Sequence, residues 1–273
     1  MSLHGWQANL NLQFRRSGCK TLVSRCSHKG PLRIQKPFYP PDGVCHVYVL
    51  HPPGGVVGGD ELGTSVEVCS NAAALITTPA SAKIYRSAGA TSQITCDLKL
   101  GEGASLEWLP QDTVLFGGSR VHQATTVRLE SSSHFCGWEI CSMGRPVSGD
   151  DYSTGEFEQV FTLLVDEVPR LIERQQWSAG DAVLSAPWGL NSHLVLGSFY
   201  GFPADKEVLR HTRELIDGKN FCDMAATLVD DVLVIRALAD DAFALREELT
   251  RLWSAIRMLI NGFSPGAPRI WAT

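Results

Sequence analysis

The chain has 273 residues, 44% of them apolar and 19% charged, the make-up of an ordinary globular protein with enough length to bury a core. Its formal net charge of −5 and pI of about 5.9 argue against sequence-independent nucleic-acid binding, which depends on basic surface to displace counterions. No apolar run approaches the roughly 18 residues that cross a bilayer. MSLHGWQANLNLQFRR places His4 and Asn9 where a signal peptide needs its apolar heart, so the expected compartment is the cytoplasm. Eight cysteines without a CxxC pair are too sparse for a disulfide scaffold or a zinc site, and Cys69 and Cys96 read as small buried hydrophobes.

Residues 1 to 43 are basic, and Leu10, Leu12 and Phe14 alternate as in a strand. Pro37, Pro40 and Pro41 then rule out regular structure. The run Val44 to Val49 predicts a strand, and so does Thr64 to Cys69. Between them lies LHPPGGVVGGDEL, Leu50 to Leu62, a stretch of rigid prolines and four glycines that ends in two acids. It is no phosphate loop, because Asp60 and Glu61 stand where a lysine and a hydroxyl would have to meet phosphate. It is no dinucleotide fingerprint either, since SVEVCS continues as strand where a helix should open. The simplest reading of the stretch is a tight turn between two strands.

Period-two alternation and short apolar runs continue to about Trp138. A weak internal echo runs through them. VEVCSNAAALITTP (66–79), DLKLGEGASLEWLP (97–110) and VRLESSSHFCGWEI (127–140) each give a strand, a polar or glycine break and a second strand, which predicts stacked β units. Further strands are expected at Gln159 to Val165, Pro169 to Arg174, Leu194 to Phe199, Ala225 to Val229 and Val232 to Leu238, the last two joined through Asp230-Asp231. Two helices come late. The first spans Ala204 to Gly218, with Val208, Leu209, Thr212, Leu215 and Ile216 on one face and Gly218 as its stop. The second starts at Asp240 or Asp241 and ends near Gly262, with a wide apolar stripe of Phe243, Leu245, Leu249, Leu252, Trp253, Ile256, Leu259 and Ile260 that leaves room for a partner. The fold class is mainly β, in stacked sheets with two helices near the C-terminus. The terminal Trp271 reads as tied down.

No GxSxG, HExxH or HxH pattern occurs, and the eight histidines are scattered. His46 and His51 flank the glycine stretch together with Cys45. The carboxylates Asp60, Glu61, Glu107, Asp112, Glu139 and Glu173 form no closed ligand set by spacing, which suits a weak, transient metal path and not a catalytic centre. In KIYRS, strand alternation puts Lys83, Tyr85 and Ser87 on one face and Arg86 on the other, where a guanidinium is suited to a fixed carboxylate pair.

GPLRIQKPFYPPDGVCHVYVLHPPGGVVGGDEL, TTPASAKIYRSAG, GASLEWLPQDTVLFGGSR, the GRP at 144–146 and the terminal PRIWAT resemble the urease accessory protein family UreD, called UreH in some species. The resemblance covers residues 1–273 as one domain. It implies a non-enzymatic chaperone that binds apo-urease and holds UreF, which recruits the GTPase UreG. Nickel would bind only transiently, with no tightly held cofactor, and would pass along an internal route lined by polar and acidic groups. On the matching motif Asp60 and Glu61 belong to that route, with Glu139 and Glu173 as further candidates, and Trp253, Trp271 and Arg86 are candidate partner contacts. Composition and periodicity alone fit a β-rich ligand-binding module equally well, and a metal-dependent hydrolase would require a closed set of three or four ligands.

Overall fold

The computed structural model describes residues 5–217, 222–264 and 266–272. The chain opens with an antiparallel hairpin of β1 (Gln7–Ser17) and β2 (Lys20–Lys29), followed by a short β3 (Arg33–Ile34) and by β4 (Cys45–Leu50). It then alternates between two sheets. β5 (Glu61–Val68) is followed by β6 (Ala73–Thr77), and a short β7 (Ala82–Ile84) precedes β8 (Ser92–Leu100) and β9 (Ser105–Leu109). A short β10 (Thr113–Leu115) leads to β11 (Ser119–Leu129) and β12 (His134–Met143), and β13 (Gly155–Val165) turns back on β14 (Val168–Ser178). After a single helical turn, α1 (Ala182–Ser185), come β15 (Val195–Phe202), α2 (Lys206–Ile216), the hairpin β16 (Asp223–Val229) and β17 (Val232–Ala239), and α3 (Ala242–Asn261).

The three echoing segments are the three coils of the stack. In each, a first-sheet strand turns directly into a second-sheet strand: β5 into β6, β8 into β9, β11 into β12. Neighbouring coils pair in parallel in both sheets, with Val66 beside Leu98, Leu98 beside Val127, Ala73 beside Ser105 and Ser105 beside His134. The first sheet runs β14-β13-β11-β8-β5-β1-β2, and the second runs β16-β17-β15-β12-β9-β6-β4-β3 with β7 and β10 beside it. One core lies between the sheets, where Leu12, Val66, Leu98 and Val127 meet Val47, Ile76, Leu106 and Phe135. The period-two alternation of the strands is what fills it.

The second sheet buries its other face too, under α3. Leu245, Leu249, Leu252, Trp253, Ile256 and Ile260 lie against Trp138, Ile140, Phe199 and Ile235. Asp241 caps the helix by accepting from the N–H groups of Phe243 and Ala244, and Gly262 ends it in the left-handed region. The stripe is narrower than its sequence suggested: Phe243 and Leu259 face solvent, as does Met258. In α2, Val208 and Thr212 are buried and Leu209, Leu215 and Ile216 are packed beside them, while the expected stop at Gly218 lies outside the described residues. Val229 pairs with Val232 across the Asp230-Asp231 turn, as the sequence predicts. Cys69 and Cys96 are only half-buried, whereas Cys45, Cys136 and Cys141 are buried.

Candidate functional site

The stretch from Leu50 to Leu62 is not a hairpin turn. β4 belongs to the second sheet and β5 to the first, so the stretch arches from one sheet to the other. It is pinned to the strand at Lys83: the Val56 N–H donates to Lys83 O at 2.7 Å and the Tyr85 N–H to Val56 O at 2.8 Å. Tyr85 presses its ring so close to Gly55 that a Cβ there would lie 2.1 Å from it, a Cβ at Gly58 would lie 2.2 Å from Ser87 Oγ, and Gly54 and Gly59 take φ of +78° and +89°, so each of the four positions favours glycine. Asp60 is buried, and its carboxylate accepts from the N–H groups of Trp6 at 2.8 Å and Val57 at 3.0 Å. Glu61 opens β5 with its side chain exposed.

A second acidic locus lies in the interior. Register aligns Ile94, Gln123, Gln159 and Gln175 across the first sheet, and next to that row Cys96, Thr125, Phe161 and Glu173. The second sheet aligns Glu139, Ser198 and Arg236. Polar groups therefore run through a core that is otherwise apolar. Thr125 Oγ donates to Glu139 Oε1 at 2.6 Å, Gln175 donates to Glu173 Oε1 at 2.6 Å and to Ser198 at 3.4 Å, and Tyr200 donates to Glu173 Oε2 at 2.8 Å. Arg236 pairs with Glu173 at 2.9 Å.

Glu139 is 5% exposed, and burial pushes its carboxyl up to about 7, against hydrogen bonds from Thr125 and Gln123 and with the nearby charge of Glu173 adding to the rise. Its Oε2, Gln175 Oε1 and Arg236 Nη1 are buried without a partner among the described residues. The seam opens at the sheet edge into a cleft of about 610 Å³ that includes Glu173, Gln175, Trp188, Met224 and Arg236.

The four candidate acids do not form one site. Asp60 and Glu61 stand at the start of β5 and Glu173 on β14, with β8, β11 and β13 between, about 19 Å at the usual strand spacing. Among the described residues no group of three or more His, Cys, Asp and Glu side chains could hold a metal ion. Glu107 points to the opposite side of its sheet from the seam. It accepts from the Trp253 indole at 2.8 Å and from Arg257 Nε and Nη2 at 2.8 and 2.6 Å, all buried. Asp112 is held by Ser81 and Ser142. Burial lowers His46 to about 4, so its ring is neutral near pH 7, and the Nε2 has no partner among the described residues; His51, half-buried, is lowered for the same reason.

Of the candidate partner contacts, Trp253 is enclosed in the core beneath α3, where its indole serves Glu107, so any effect on a partner passes through helix packing. Trp271 is half-buried, stacks on Trp138 with centroids 5.6 Å apart and donates to Thr77 at 3.0 Å. Arg86 is exposed, but the carboxylate pair expected of it is not formed among the described residues. It lies against Gly118 and donates to Gly117 O at 3.4 Å, because the strand it would have crossed ends at Ile84. Sequence reasoning missed the Glu107 and Arg257 pair. Its one signal was an arginine inside an apolar helical stripe, a position that needs a buried acid.

Stacked coils around an acid-bearing polar seam define a β-coil protein with a second-sheet face sealed by a helix. Its sequence places it more closely. The profile described as UreD urease accessory protein matches residues 7–272. The protein named Urease accessory protein UreD from Enterobacter sp. (strain 638) is 41% identical over 273 residues, covering 99% of this chain and 96% of that protein. Those of the same name from Klebsiella aerogenes and Pseudomonas putida (strain W619) are 38% and 39% identical, covering 98% of this chain and 97% and 95% of their own. The chain belongs to the UreD family of urease accessory proteins.

Proposed function

We propose that this chain is a non-enzymatic scaffold in the maturation of urease, which binds apo-urease and UreF, through it recruits UreG, and assists the insertion of nickel. Family membership and the shared name of the relatives support the link to urease. The observation that carries the nickel reading is the polar seam. An interior that could have closed with apolar side chains instead places buried carboxylates, amides and hydroxyls in aligned rows, and three of its polar atoms lack partners among the described residues. Nickel is cargo on this reading. Glu139 and Glu173, with the amide oxygens beside them, offer oxygen ligands too few and too dispersed for tight binding, and loose holding is what a transfer route requires. Asp60 and Glu61 then belong to a separate reach of the route, at the rim where the glycine arch enters the first sheet. Nucleotide hydrolysis is assigned to UreG, and the compartment to the cytoplasm; no helix among the described residues is long and apolar enough to cross a membrane.

The test is Glu139→Gln with Glu173→Gln, both near-isosteric, in a preparation containing UreF, UreG and apo-urease. The expected result is an intact complex that yields urease with less than half the normal nickel and activity. Normal nickel loading by an intact variant complex would sink the transfer role.

A further inference from the structure

Charge is segregated along this chain. The first 43 residues hold seven lysines and arginines (Arg15, Arg16, Lys20, Arg25, Lys29, Arg33 and Lys36) against one acid, Asp42, in a molecule whose net charge is −5. Sequence marks residues 1 to 43 as basic without showing where their charges meet. The fold gathers most of them, because Arg15, Arg16, Lys20, Arg25 and Lys29 lie on β1 and β2 at one end of the first sheet, and Arg33, on β3 at an end of the second, lines the same cleft as Lys29; all seven are exposed. None of the seven forms an ion pair among the described residues, whereas Arg120, Arg128, Arg145, Arg236 and Arg257 each face a carboxylate.

The same end carries an open sheet edge. Among the described residues β2 pairs with β1 alone. Its start is covered, since the Thr21 N–H donates to Gly43 O at 3.1 Å and Lys20 sits over the Tyr39 ring. Residues 24–29 are exposed throughout, and among the described residues no backbone group outside β1 bonds to theirs. Where β2 ends, an open cleft of about 1170 Å³ is lined by Trp6, Gln7, His28, Lys29, Arg33 and Glu61, with Trp6 60% exposed.

We infer that this edge docks an acidic, extended segment of another protein as an added strand. Its backbone pairs with residues 24–29, about six residues or 20 Å of strand. Its carboxylates meet Arg25, Lys29 and Arg33, and an apolar side chain rests on Trp6. Cations on an edge strand commonly keep other edges away. Here they select: they repel the same edge of a second copy and attract a strand of opposite charge. A nucleic acid fits less well, because a strand edge presents carbonyl oxygens as well as N–H groups, and phosphates can pair with the N–H groups only.

The experiment uses the full chain and three labelled anionic probes of equal charge, read by fluorescence anisotropy. They are a peptide of about seven alternating Glu and Val residues, the same peptide with prolines for its valines, and a short single-stranded oligodeoxynucleotide. The Glu-Val peptide is expected to bind at least about tenfold more tightly than the other two, and binding should drop by about tenfold or more in R25E/K29E/R33E, whose fold is checked by circular dichroism. Alkylation of the native, exposed Cys26 on β2 should slow when the peptide is bound. Equal binding of the proline peptide or the oligonucleotide would reduce the edge to a polyanion patch and overturn the inference. So would undiminished binding by the folded triple variant, or no binding of the Glu-Val peptide at about 1 mM.

Discussion

Glu139 is an acid whose ionisation the interior resists. Its carboxyl stands at about 7 in the folded chain against 4.5 for the ordinary side chain. Below about pH 4.5 it is protonated whether the chain is folded or not, and contributes nothing to the pH dependence. Between 4.5 and 7 the folded state binds a proton that the unfolded state has lost, so its contribution to stability falls as pH rises through that window, by on the order of 3 kcal/mol in all. Glu139→Gln keeps an oxygen for the Thr125 hydroxyl and has no charge to bury. The variant is expected to match the wild type in thermal midpoint at pH 4.5 and to exceed it at pH 8, as read by differential scanning calorimetry. A constant difference across that range would show that burial does not govern this carboxyl. The sequence offered Glu139 as a candidate but could not say why it matters, because its raised pKa comes from burial between the sheets and from the charge of Glu173, which only the fold brings near. Asp60 was legible as a residue and not in its role, since the Trp6 amide that engages it lies 54 positions away.

At the scale of elements, the stability of α3 rests on one buried ion pair as well as on its apolar stripe. Glu107 and Arg257 are 0% exposed, and three hydrogen bonds from Arg257 and Trp253 converge on the carboxylate. Removing Arg257 strands Glu107 in the core, and removing Glu107 leaves the buried guanidinium facing Asp42 at 3.7 Å, so Arg257→Met should cost about 3–5 kcal/mol in urea denaturation and Glu107→Leu toward the lower end of that range. The double variant should cost less than either single change by at least about 1 kcal/mol, even though it leaves the Trp253 N–H unpaired. Additive losses would mean that the two residues act separately. This helix was largely readable: the Asp241 cap, the Gly262 stop and most of the stripe follow from residue spacing. What sequence overstated was the width of the stripe. Phe243 and Leu259 keep the right period but lie at its margins, where the second sheet no longer reaches. Most strands were readable as well, since alternation survives wherever one face is buried. β2 was not, because its edge position exposes nearly every residue and erases the alternation.

At the scale of the whole molecule, burial is distributed as in any stacked array, with the inner coils covered on both sides and the outer strands on one. Amide hydrogen exchange should therefore be slowest in β5, β8 and β11 and fastest in residues 24–29 of β2, with a spread approaching the full unfolding free energy. Uniform protection across the first sheet would contradict the edge assignment. The overall class was legible because the coil repeat leaves a trace in the sequence. The partition of those coils into two sheets was not, since nothing local distinguishes an arch such as Leu50 to Leu62 from a hairpin.

The coil register also sets how quickly this protein can fold. A residue such as Leu98 has lateral neighbours at Val66 and Val127, so pairing between coils is never local, unlike that within the β1–β2, β13–β14 and β16–β17 hairpins, and each coil must close a loop of about thirty residues before its first bond to the next forms. Chains built on such distant pairings fold in milliseconds to seconds, where helical bundles take microseconds to milliseconds. For that interval the half-assembled stack has an open strand edge at each growing end. The newly made chain passes through a period in which its own unfinished coils are its most adhesive surfaces.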